Sequence, residues 1–124
     1  MPRWLVDGMN VIGSRADGWW RDRKGAQRRL AEDLAGFAAA TGDDVAVVFD
    51  GEPFELDARG VDVAFASRRG RDAADDDIAE RAAADDDPGE LRVVTSDGDL
   101  AARVRRHGAE VVGAGAFRRR LDRS

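Results

Sequence analysis

Val45-Ala46-Val47-Val48-Phe49-Asp50-Gly51-Glu52-Pro53-Phe54-Glu55-Leu56 is the stretch on which the fold turns. Its apolar run reads as a buried strand. Asp50-Gly51 reads as a turn, because Gly takes positive φ and Asp bonds its own backbone. Two architectures follow: a hairpin closing onto Phe54-Glu55-Leu56, or an exit from a parallel strand. Pro53 argues for the exit, since a proline has no amide to give to a ladder. The same signature recurs elsewhere in the chain. Arg3-Trp4-Leu5-Val6 runs into Asp7-Gly8, and Leu91-Arg92-Val93-Val94-Thr95-Ser96 runs into Asp97-Gly98. Parallel strands that end this way set carboxylates along one sheet edge, where open α/β sheets bind ligands.

Working outward, strand and helix patterns alternate as in a parallel sheet with crossover helices. Strands are expected at 3–7, 45–49, 61–66, 91–95 and 109–112. A loop through Gly13, Gly18 and Trp19-Trp20 follows the first strand. Ala26, Leu30, Leu34, Phe37 and Ala38 share one face of a helix over 23–41, which Gly42 stops. Further helices are expected from near Asp75, over 99–107, and as a last turn around Phe117 and Leu121. Asp85-Asp86-Asp87-Pro88-Gly89 reads as a solvated turn. The 124 residues suit one domain, 1–124, with 43% hydrophobic residues to fill a core.

Composition excludes several chemistries. The absence of cysteine removes disulfides, thiolate catalysis and cysteine-ligated zinc. His107, the single histidine, argues against histidine-rich metal sites and an imidazole-based serine triad; beside Gly108 it reads as a helix-end residue. No stretch approaches the roughly 20 apolar residues of a membrane span. Arg3 and Asp7 interrupt any signal-peptide pattern. A cytoplasmic protein is therefore expected. The net charge of −5 hides arginine clusters at 21–29, 68–71, 103–106 and 118–120, so distribution matters more than the sum.

Like charges meeting at one sheet edge cost energy, and a divalent cation would offset it. Hard oxygen donors without His or Cys suit Mg2+ or Mn2+. Asp7, Asp50 and Asp97 are the strand-end candidates. Asp75, at the start of a helix, adds a fourth, and Asp76, Asp99 and Ser96 are secondary candidates. Asn10 could hold a carboxylate or a substrate phosphate. Each has a structural alternative: Asp-Gly is a good turn, Asp75 and Asp99 are good helix caps, and Asn10 could cap a loop.

Asp7-Gly8-Met9-Asn10-Val11-Ile12-Gly13 resembles the opening D-G-x-N-x-I motif of NYN domains, the PIN-like nuclease group that includes YacP-type proteins. Val47-Val48-Phe49-Asp50-Gly51 resembles their second motif, Ala74-Asp75-Asp76-Asp77-Ile78 the A-D-x-x-I helix start, and Val94-Thr95-Ser96-Asp97 the final T-S-D. The motifs stand in family order over nearly the whole chain; Met9 departs by replacing an aromatic residue often found there. The resemblance implies a PIN-like three-layer sandwich with a parallel sheet in the order 3-2-1-4-5 and helices on both faces. It implies a metal-dependent ribonuclease whose ion is held by Asp7, Asp50, Asp75 and Asp97. It further implies cleavage to a 5′-phosphate and a 3′-hydroxyl.

Single-stranded RNA is the expected partner, with ribosome association a further partner that the resemblance raises and no membrane. Arg68, Arg69 and Arg71 precede Asp75 and should flank the site, as should Arg15, Arg21 and Arg23 after the first strand. Trp19 and Trp20 could stack on unpaired bases, with one of them buried and the other exposed. The expected activity is thus endoribonuclease. The alternatives are a non-catalytic or weakly active RNA- or ribosome-binding NYN domain and, ranked lower, a phosphatase of the haloacid-dehalogenase type. The phosphatase needs an Asp two residues after its nucleophilic Asp, where this chain has Met9 and Glu52.

Overall fold

The computed structural model describes residues 2–66, 70 and 72–123. In chain order the elements are β1 (Arg3–Asp7), α1 (Gly8–Gly13), α2 (Arg23–Thr41), β2 (Asp44–Phe49), β3 (Val61–Phe65), α3 (Ala73–Ala83), β4 (Leu91–Val94), α4 (Gly98–Arg105), β5 (Glu110–Val112) and α5 (Ala114–Asp122). Short 3-10 turns lie at Trp19–Arg21 and Pro88–Glu90.

The strands form one five-stranded sheet in the order β3-β2-β1-β4-β5, and every pairing is parallel. This is the order and the layering that the resemblance implies. β2 and β3 are neighbours and parallel, so Asp50-Gly51 is not a hairpin turn. Residues 50–60 carry the chain back along the sheet without a helix, close to the shortest length such a crossover allows.

Two apolar layers enclose the sheet. On one face Trp4, Val6, Val45, Val47 and Phe49 pack against Val11 and Ile12 of α1, Leu30, Leu34 and Phe37 of α2, and Phe117 and Leu121 of α5. On the other, Leu5, Val48 and Val93 meet Ala74, Ile78 and Ala82 of α3 and Leu100 and Val104 of α4. Alternation along each strand sends successive side chains to opposite layers. Burying Leu30, Leu34 and Phe37 contributes roughly 1.5–3 kcal/mol each. Trp4 anchors the first layer, edge-on to Phe37 with centroids 5.2 Å apart, and its indole N–H donates to Asp43 Oδ2 at 2.9 Å.

The long helix spans the range its periodicity predicts, capped by Asp22 on the Gly25 amide and closed at Gly42. Two expectations need correction. Residues 8–13 are helical, not loop: β1 passes directly into α1, a helix of six residues. A helix that short lacks internal stability and stands because Val11 and Ile12 are buried in the core. The last helix is also longer than one turn, Ala114–Asp122.

Candidate active site

β1 and β4 lie side by side at the centre of the sheet. From β1 the chain crosses to β2, and from β3 it crosses back to β4, so the strand order reverses between β1 and β4. That is the topological switch point. Asp7 ends β1 there, Asp50 follows β2, and Asp97 is the N-cap of α4, its Oδ1 accepting the Leu100 amide at 3.0 Å. α3 starts at Ala73, with Asp72 at the N-cap position but no capping bond from its side chain. Asp75 therefore lies inside the first turn of the helix and not at its cap.

Asp7 is 5% exposed. Register explains its setting: Val6 pairs with Val94, which brings Asp7 level with Thr95. The Thr95 hydroxyl donates to Asp7 Oδ2 at 3.0 Å, and Thr95 Oγ1 in turn accepts the Asp97 amide at 3.1 Å. Burial pushes the Asp7 carboxyl up to about 6, against the Thr95 hydrogen bond, with help from the charges of Asp75 and Asp50. Asp75, half-buried, is also pushed up to about 6, by burial first and then by Asp97, Asp72 and Asp50; Arg103 opposes this. A helix N-terminus ordinarily favours a carboxylate, and here desolvation and like charge outweigh it. The four motif aspartates thus act on one another through space, with Asp75 at the junction.

Asp50 is held differently. Arg23, the first residue of α2, donates from Nη2 to the Asp50 carbonyl at 3.2 Å and stands 3.9 Å from its Oδ1. That carboxylate oxygen is buried and has no hydrogen-bond partner. Gly51, at φ +93°, turns the chain away immediately afterwards; a Cβ there would stand 3.3 Å from the Arg23 guanidinium. Gly8 is pressed against the Phe49 ring, which a Cβ would strike, so α1 sits directly over the end of β2.

Asn10 and Ser96 organise the loops around these acids. Asn10 Oδ1 accepts the Ser96 amide at 2.7 Å, and Ser96 Oγ accepts the Ala114 amide at 2.9 Å, satisfying one of the open donors at the start of α5. Asp76 pairs with Arg103 at 2.9 Å. Asp99 is exposed in the first turn of α4. Arg15 pairs with Asp122 of α5. Trp19 is partly buried against the core layer while Trp20 is 58% exposed; neither is fully buried, because both stand on the exposed 3-10 turn. Arg68, Arg69 and Arg71 lie outside the described residues. Thr95 and Arg103 are the contributors that reasoning from sequence left out of the site, whereas Arg23 stands beside Asp50 on the flank expected of it. Thr95 stood inside the T-S-D motif, and Arg103 read as a surface helix residue. Among the described residues no three His, Cys, Asp or Glu side chains converge closely enough to hold a metal ion as they stand, and no helix is long and apolar enough to cross a membrane.

A parallel sheet in this order, with acids gathered at its switch point, defines a protein of the PIN-like nuclease fold. The family model for the YacP-like NYN domain matches residues 4–124, and the chain belongs to that family. It is similar to the crystal structure of Rae1 (YacP) from Bacillus subtilis, with a TM-score of 0.79 and 29% identity over 99% of this chain and 75% of that one. The W164L mutant of the same protein superposes with a TM-score of 0.78 and 28% identity, over 99% and 76%. No curated protein matches the chain.

Proposed function

We propose that this protein is a magnesium- or manganese-dependent endoribonuclease acting on single-stranded RNA. One observation carries the reading: Asp7 and Asp75 are both raised to about 6, and each is raised in part by other motif aspartates. Carboxyls displaced by burial and, further, by one another's charge mark a functional site more often than a structural one.

The donor set fits a hard divalent cation in kind: carboxylates only, one of them with a buried oxygen that accepts no hydrogen bond. Asp7, Asp75, Asp97 and Asp50 would hold it, after side-chain rotations that bring them into closer convergence. Bound there, magnesium or manganese would supply positive charge to the scissile phosphate and ease ionisation of the attacking water. The chain's own groups do the rest. Thr95 fixes the orientation of Asp7. Asn10 and Ser96 hold the β4–α4 loop in place. Asp75, pushed up to about 6 in the metal-free protein, would give up that proton as the cation binds, so loading of the site would depend on pH near neutrality. Attack by water opposite the 3′-oxygen breaks the P–O3′ bond; the attacking water loses a proton to solvent and the departing 3′-oxygen takes one from it, leaving a 3′-hydroxyl and a 5′-phosphate.

Labelled single-stranded RNA incubated with the protein and millimolar manganese should be cut, and EDTA should stop the reaction. Asp75→Asn and Asp7→Asn should each lower the rate about a hundredfold or more while circular dichroism remains that of the parent. Asp7→Asn protein that cuts as fast as the parent would assign the activity to a contaminant. The domain would then be a non-catalytic RNA-binding module, a reading that the unconverged carboxylates also suit.

A further inference from the structure

Beside Asp50, the 3-10 turn at Trp19–Arg21 and the N-terminal half of α2 present cations that no carboxylate among the described residues engages. Lys24 and Arg28, four residues apart, share one stripe of α2, and Arg21 precedes them in the 3-10 turn. All three are exposed. None of the ion pairs among the described residues involves them. Aromatic rings position them instead. Lys24 Nζ stands 5.4 Å and the Arg28 guanidinium 5.1 Å from the Phe54 ring centroid, and Arg21 lies 5.9 Å from that of Trp20. Phe54 is itself braced against Phe65, with centroids 5.5 Å apart. Arg23 links the stripe to the acids, since it bonds the Asp50 carbonyl.

We propose that Arg21, Lys24 and Arg28, held by Trp20 and Phe54, form the track on which the backbone of a single-stranded RNA runs to Asp50, with Arg23 as the phosphate contact nearest the acids. This rests on the nuclease reading above and specifies the substrate side of that site. The stripe supplies phosphate contacts. Exposed Trp20 supplies a stacking surface for an unpaired base at its outer end, and a duplex cannot use that surface without unstacking. Phe54 is a positioning residue: it sets where two cations stand and does not need to touch RNA.

The test is fluorescence anisotropy with a labelled single-stranded RNA in EDTA, which separates binding from cleavage. Lys24→Glu/Arg28→Glu should weaken binding at least tenfold. Each lost phosphate contact should flatten the dependence of log affinity on log salt by about 0.7. Trp20→Ala should cost about tenfold on the single strand and leave duplex binding unchanged. Phe54→Leu should weaken binding per folded molecule, beyond what its loss of stability explains, whereas a merely structural Phe54 would lower stability alone. If the parent binds RNA and these variants bind equally well, the track is elsewhere and the nuclease reading stands. If the parent neither binds RNA in EDTA nor cuts it with manganese, both fall. An acidic peptide that displaces the RNA at equal concentration would reassign the stripe to a protein partner.

Discussion

The Thr95 hydroxyl bridges two of the motif aspartates: it donates to Asp7 Oδ2 at 3.0 Å and accepts the Asp97 amide at 3.1 Å. One side chain therefore sets both the charge state of a buried carboxylate on β1 and the geometry of the turn that starts α4. The bond to Asp7 lowers its proton affinity against the larger effect of burial.

Thr95→Val removes that donor and leaves the volume nearly unchanged. The Asp7 carboxyl should then rise above about 6, and the acid limb of the cleavage–pH profile should move up with it. Loss of a hydrogen bond to a buried charged group should also cost about 1–3 kcal/mol in urea unfolding at neutral pH. Thr95→Ser should restore both. A profile unmoved by Thr95→Val would remove Thr95 from the control of Asp7.

Asp7→Asn should make the protein more stable at pH 7.5. The folded state holds the Asp7 proton to about 6, against a usual 3.8. The stability linked to that proton is complete below 3.8 and is lost as pH rises through 6. Above 6 the ionised form is a net burden, worth roughly 1–3 kcal/mol at this depth of burial. The melting temperature of Asp7→Asn should therefore exceed that of the parent at pH 7.5, with the gap closing between pH 6 and pH 4. A variant less stable than the parent at pH 7.5 would contradict the assignment.

Magnesium should raise the melting temperature of the metal-free protein, by an amount equivalent to about 2.7 kcal/mol at a hundred times the dissociation constant. Protons compete for the same oxygens, so the increment should shrink as pH falls through 6, where Asp7 and Asp75 take them up. Asp75→Asn should abolish most of it. Scanning calorimetry at pH 7.5 and pH 5.5 with and without magnesium reads all of these. No increment at millimolar magnesium would count against a site formed before RNA arrives.

Gly8→Ala drives a methyl group into the Phe49 ring. Overpacking of this kind costs about 1–3 kcal/mol. Phe49 is the last residue of β2, so relief of the clash displaces Asp50. Cleavage should fall further than the loss of folded protein explains, measured as activity per folded molecule. The exposed Gly36, whose Cβ would meet nothing, is the control: Gly36→Ala should leave activity unchanged and the helix slightly more stable.

Much of this architecture is written locally. Pro53 after Asp50-Gly51 separates a parallel exit from a hairpin within a few residues. The apolar spacing from Ala26 to Ala38 defines α2, because helical periodicity is complete within a short window. The strand-end acids followed from the same punctuation, and the order of the motifs identified the family that the comparisons confirm. α1 escaped notice because its six residues have no periodicity to read; only packing against α2 and α5 makes them helical.

What the sequence by itself determined is the succession of strands and helices, the parallel sense of the sheet and the residues that end at its active edge. All are consequences of turn chemistry and periodicity over a few neighbouring positions. Tertiary structure alone decided how those residues act on one another. Register brings Thr95 onto Asp7 across 88 positions of sequence, burial raises two carboxyls, and α2 lays Arg23 against Asp50. Contacts of this kind depend on which strands become neighbours and at what offset, and no local pattern encodes either.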